Sequence, residues 1–253
     1  MQAHSKIFAS IFASAVLLLI GCGGGGGESR AKPLKVRYDD SLLVQVAADQ
    51  RTAADTARTT WQKAVDENRK AEADYNEVNG QMSVVKNDKK QADLKLDSAK
   101  SMKKSADSTN DANKMNAAQK DLRSAELGKG AAEARVKYYE AYRNFLKKHM
   151  RFTEEQMYWR EAQYELAKSQ VGQANAIRPP KVNYAEFGPQ EAERAKRAEK
   201  ARDAAQSEKS KAASARESWL KQQTEADQHA GARSTFPDPM LSQQNSNAST
   251  ATP

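Results

Sequence analysis

Apolar residues are distributed along this chain in two different ways. Ile7 to Ile20 is one apolar run broken only by two serines, and no comparable run recurs after it. From Leu42-Leu43-Val44 onward, apolar and small residues instead return at alternating steps of three and four. The series is Ala47, Gln50, Ala54, Ala57, Trp61, Ala64, Asn68, Ala71, Tyr75, Val78, Met82, Val85, Lys89, Ala92, Leu96, Ala99, Lys103 and Ala106. This is the spacing of one helix face, sustained over many turns. One position of the seam is Ala or Val at each heptad from Ala57 to Ala106, while the other alternates large residues with exceptions such as Asn68 and Lys89. A heptad period of this length predicts coiled-coil packing, and the small residues predict close approach of a partner helix. Asp39-Asp40-Ser41 supplies a candidate N-cap with negative charge at the positive end of the helix dipole.

Asp107-Ser108-Thr109-Asn110-Asp111 interrupts the pattern with residues that favour caps and turns. The period then resumes through Met115, Ala118, Leu122, Ala125, Ala132, Val136, Tyr139, Leu146, Met150, Met157, Tyr164, Ala167, Val171 and Ala174. Two stretches of matched length on either side of a polar break predict a long antiparallel hairpin over residues 41–177, with its tip near 107–111. One uninterrupted dimerising helix is the alternative, and five turn-type residues in a row weigh against it. Arg178-Pro179-Pro180 through Gly188 reads as a loop over 178–188. Pro189 suits the first turn of a third helix over 189–230, ended by Gly231. Residues 231–253, rich in Ser, Asn, Thr, Gln and Pro without periodicity, read as a disordered tail. The predicted class is therefore all-α: a coiled-coil-type hairpin with a third, shorter helix packed at its base.

Aromatic residues cluster between Tyr138 and Tyr164, and none occurs between Val78 and Lys137. Folding at about Thr109 places Trp61 opposite Tyr158-Trp159, Gly80 opposite Tyr138-Tyr139, and Trp219 near Leu146. The expectation is an aromatic three-helix base and a two-helix, alanine-rich arm reaching roughly 40 Å beyond it. Gly80 would make room for the rings.

The first apolar run is too short for the roughly 20 residues of a spanning helix. Preceded by Lys6, it has the form of a signal-peptide core. It ends in Leu19-Ile20-Gly21-Cys22, and Cys22 is the sole cysteine. These residues resemble the lipobox of bacterial lipoproteins. That resemblance implies a signal peptide over 1–21, diacylglycerol and an N-acyl chain such as palmitate on Cys22, and membrane attachment through lipid. Residues 22–40, beginning with the glycines at 23 to 27, then read as a flexible tether. Gly23 stands where the inner-membrane retention signal of enterobacterial lipoproteins has aspartate, so the resemblance favours the outer membrane, facing the periplasm.

The formal charge is +8, but acidic and basic residues are interleaved rather than segregated. Nucleic-acid binding normally needs a basic face or stripe, so that class is set aside. The three histidines, His4, His149 and His229, have no metal-ligand spacing, and His149 beside Lys147, Lys148 and Arg151 reads as part of a solvated face. Gly128-Lys129-Gly130 lacks a preceding strand and is not read as a phosphate loop. No catalytic, metal or cofactor residue is assigned. Two features could carry partner contacts. Arg143, Lys147, Lys148 and Arg151 share a helix face, and Lys103 and Lys104 lie at the hairpin tip. The reading is a non-enzymatic cell-envelope lipoprotein acting as a helical spacer, scaffold or adaptor towards an envelope protein or the cell wall. A membrane-tethered periplasmic chaperone is the alternative, and homo-oligomerisation is left open.

Overall fold

The computed structural model describes residues 31–180 and 182–241. The signal-like segment, Cys22 and the glycine run lie outside the described residues. Three long helices carry the body: α1 (Thr52–Asp107), α2 (Ala112–Ala174) and α3 (Phe187–Ala230). Short 3-10 turns at Asp40–Leu43, Ala48–Arg51 and Tyr184–Glu186 accompany them, and no strand occurs among the described residues. At 1.5 Å per residue the helices are about 84, 95 and 66 Å long.

Local chemistry sets the boundaries. Asp39 does cap, its carboxylate accepting from Ser41 N at 2.9 Å, but what it caps is a 3-10 turn. The first long helix begins later than the sequence suggests, at Thr52. Between α1 and α2, Asn110 adopts a positive φ of 52° and Asp111 accepts from the backbone N–H groups of Asn113 and Lys114. That N-cap restarts the chain as α2. Gly231, at φ 67°, terminates α3 in the left-handed conformation that glycine adopts without steric cost.

Every buried residue of α1 falls on the predicted seam, from Ala54 through Asn68, Val78, Met82 and Leu96 to Ala106. Its contacts with α2 are regular. Trp61 stacks on Tyr164, Asn68 accepts from the Thr153 hydroxyl at 3.0 Å, Asp88 pairs with Arg135, and Asp93 with Lys129. The partner number falls as the residue number rises. The polar seam residues are thus accommodated by pairing: Asn68 meets Thr153 and Glu72, and Lys89 meets Asp93 and Glu133.

Burial on α2 goes well beyond its predicted seam. Ala134, Arg135, Tyr138, Tyr142, Phe145, Glu161, Glu165 and Lys168 are buried besides Tyr139, Leu146, Tyr164 and Val171. The cause is position. α2 packs against α1 on one side and α3 on the other, whereas the backbones of α1 and α3 hardly approach each other.

Two apolar clusters divide the core. One joins Val78, Met82 and Val85 of α1 to Tyr138, Tyr139, Tyr142 and Leu146 of α2 and Ala212 and Trp219 of α3. The second, towards the end of α2, gathers Tyr38, Leu43, Val46, Ala54, Tyr164, Val171 and Phe187.

Several expectations need correction. The two-helix arm of roughly 40 Å does not exist. Arg123 pairs with Glu225 at 3.8 Å, and Ala230 shares a cleft with Met102 and Asp121, so α3 runs nearly to the tip. The reason lies in the 175–186 connection, which climbs back beside α2 before α3 starts: Glu191 accepts from Trp159 Nε1 and from Gln163. Gly80 is exposed with open space where a Cβ would stand, and Val78, Met82 and Val85 meet the rings instead. Trp61 faces Tyr164 rather than Tyr158-Trp159. Residues 31–40 are not free tether, because Ala31, Leu34 and Tyr38 are buried. The tail is ordered as far as 241 by contacts that local composition does not announce.

Candidate functional site

Polar side chains converge most densely where residues 32–40 and 234–241 dock on the helices. The N-terminal segment lies against α2 and α3 as extended chain. Arg194 donates to the carbonyls of Lys32 and Pro33 at 2.6 and 3.1 Å. One turn earlier on α3, the Gln190 side chain accepts from the amides of Lys35 and Val36 at 3.0 Å each and donates back to Val36 O at 2.9 Å. On α2, Glu161 pairs with Arg37 at 2.6 Å, Glu165 accepts from Tyr38 N at 2.6 Å, and Lys168 donates to Tyr38 O at 2.7 Å. The spacing of Glu161, Glu165 and Lys168 puts all three on one helix face.

Lys168 is almost fully buried, and each ammonium proton has a destination: Tyr38 O, Glu165 at 2.9 Å, and Asp40. A charge so deeply buried is tolerated only when paired and hydrogen-bonded, and this one is both. Burial pushes the Glu161 carboxyl above its ordinary value, against the pull of Arg37. Tyr38 enters a notch over Gly172, where any Cβ would collide with the phenol. Its ring meets Tyr184 and Phe187, and burial raises its hydroxyl pKa.

The C-terminal segment turns back at Gly231. Ser234 bonds Asp227 through both its amide and its hydroxyl. Phe236 lies over the Arg135 guanidinium at 3.8 Å, and Pro237 O accepts from Tyr139 at 3.1 Å. The Asp238 carboxylate accepts from Tyr138 at 2.7 Å and from Arg216 at 2.5 Å, while Met240 packs on the aromatic cluster. Tyr138 itself stacks on Trp219 with centroids 5.3 Å apart.

The sequence-derived contact residues are dispersed. Arg151 is engaged by Glu154 at 2.7 Å and Glu155 at 2.5 Å, and Glu155 also faces Arg194 at 3.7 Å. Lys147 is exposed, Arg143 is half-buried, and Lys148 is half-buried with a partner of its own. At the tip Lys103 pairs with Asp107 at 2.7 Å and Lys104 is exposed. His149 is not on a solvated face. It lies between Phe145 and Phe152, and burial lowers its pKa despite the opposing charge of Asp74. Cys22 lies outside the described residues.

Sequence reasoning missed Gln190, Arg194, Glu161, Glu165, Lys168, Tyr138 and Arg216 as docking residues. The one available signal was the run of polar residues at helical spacing, Glu161, Glu165 and Lys168, within an aromatic-rich stretch. Among the described residues there is no helix long and apolar enough to cross a membrane, and no cluster of His, Cys, Asp and Glu that could hold a metal ion. Comparison with protein families, with curated proteins and with solved structures finds no match to the chain.

Proposed function

We propose that the chain is a lipid-anchored cell-envelope protein that works as a helical spacer or scaffold. The observation that carries this reading is the grip on residues 32–40. A pull that reaches residues 32–40 is passed through buried ion pairs to a helix about 95 Å long. The descending contact register between α1 and α2 supports the antiparallel hairpin. Its small-residue seam, with Asn68 against Thr153 as a buried polar pair, supports coiled-coil packing with a defined register.

The same geometry fixes where the tether of such an anchor would join the helices. Arg194 holds Lys32 at the level of Glu155, about 28 Å short of the end of α2. From there the segment runs towards that end. Nine residues separate Cys22 from Lys32, so a lipid on Cys22 would be tethered to the helices through Lys32 by a segment of at most ~30 Å.

The experiment is fractionation of cells with labelled palmitate. The wild-type chain should carry label and stay with membranes after alkaline washing. The Cys22→Ala variant should lose the label and appear soluble with unchanged helicity. A Cys22→Ala protein that remains membrane-bound would refute the lipid anchor.

A further inference from the structure

α1 and α3 flank α2 without closing on each other, leaving a groove whose floor is α2. Residues 234–241 fill part of it. Towards the tip the groove stays open as a cleft of about 640 Å³, with Ser234 and Phe236 as its inner wall. Ala92, Ala99, Ala125, Gly128, Ala132 and Ala226 line its sides and floor. From Asp121 to Arg135 the floor is about 21 Å long, the span of roughly six extended residues.

We propose that this open part of the groove binds an extended, apolar peptide segment of a partner protein, laid end to end with the chain's own 234–241 segment. It gives the scaffold reading a docking surface and rests on that reading, though not on lipidation of Cys22.

Continuity argues for the occupant. The filled part of the same groove already holds non-helical chain over residues 233–238, by an aromatic ring over Arg135 and a backbone carbonyl bonded by Tyr139, before a helical turn sets Met240 on the tyrosine cluster. The open part offers the same combination. Small side chains leave depth for apolar groups, and Gln91, Ser98, Ser124 and Gln223 can bond a peptide backbone. Arg135 stands at the junction, only 3% exposed, and its Nε has no hydrogen-bond partner while Nη2 is held by Asp88. An unmatched donor at that depth is costly, and it marks the junction as incompletely satisfied.

Gly128 makes the test clean. A Cβ there meets nothing within 4 Å, so Phe can fill the cleft while removing a helical glycine. The full chain is titrated with two fluorescent decapeptides, one with the core Leu-Ala-Phe-Ala-Leu and one with the core Ser-Asn-Ser-Asn-Ser. The apolar peptide should bind, the polar one should not, and Gly128→Phe should weaken binding at least tenfold without lowering the melting temperature. Ala132→Leu, which narrows the same floor, should act in the same direction. Absence of binding by the apolar peptide, or binding undiminished in both variants, overturns the proposal. So does a change of sedimentation in Gly128→Phe without peptide binding, which would make a second copy the occupant. Palmitate labelling of Cys22 is independent of each result, so either reading can fail alone.

Discussion

The two docked terminal segments solve one problem with different chemistry. Both lay non-helical chain, residues 32–38 and 233–238, on helices that must supply backbone partners. The N-terminal one is fixed by buried ions on a polar helix face, with Lys168 and Glu165 matched to the amide and carbonyl of Tyr38. The C-terminal one is fixed by phenols and one carboxylate at the edge of an aromatic cluster. In the N-terminal set both members of the Lys168–Glu165 pair are buried, so separating them is costly, whereas the C-terminal segment rests on Asp238 with a partly exposed arginine and on neutral hydrogen bonds that are each worth less. The N-terminal segment should therefore be integral to the fold, and the C-terminal one separable from it.

Removing one member of the buried set is the strongest way to break that contrast. Lys168→Met should cost about 3–5 kcal/mol by leaving Glu165 buried and unpaired. Chemical denaturation checks this, and protease sensitivity of residues 31–46 should rise with it. Gly172→Ala should cost about 1–3 kcal/mol by overpacking against the Tyr38 ring, although alanine is the better helix former. Hydrogen exchange at the Tyr38 amide reads whether the segment has lifted. Asp238→Ala should cost about 1–3 kcal/mol or less, freeing residues 232–241 while the exchange of α2 and α3 amides stays slow. Equal global losses in Lys168→Met and Asp238→Ala would erase the distinction between the two segments.

The smallest effect belongs to neither segment and serves as a control. Burial depresses the His149 pKa below its ordinary 6.5, so its contribution to stability is complete above that value. It is lost as pH falls from 6.5 through the lowered folded-state value. Thermal melts of wild type should decline over that interval relative to His149→Gln, with both segments docked throughout.

How much of this was legible depended on which partner a residue serves. Positions such as Ala64, Val78, Leu96 and Ala106 repeat because they face one neighbour, and a one-sided helix writes its neighbour into its period. Tyr138 and Tyr142 face a second neighbour, and Glu161 and Lys168 face a strand-like segment more than a hundred residues away. No local period encodes such contacts. The candidate docking residues were hard to read for the same reason: apart from its aromatic-rich setting, a Glu-Glu-Lys series at helical spacing looks like any solvated face until something lies on it. Composition likewise misjudged residues 31–40 and 232–241, since it reports what a segment can bury by itself and not what is offered to it.

By itself the sequence determined the helical class, the break at 107–111, the stop at Gly231 and the seam of α1, because these follow from local propensity, capping and the period of a single face. Only the tertiary structure decided how far α3 reaches, that α2 is buried on several sides, where residues 32–40 and 234–241 dock, and that a cleft remains between α1 and α3. Those outcomes depend on which surfaces meet across long sequence separations, and a connection of a dozen residues that climbs instead of turning was enough to carry α3 nearly to the tip.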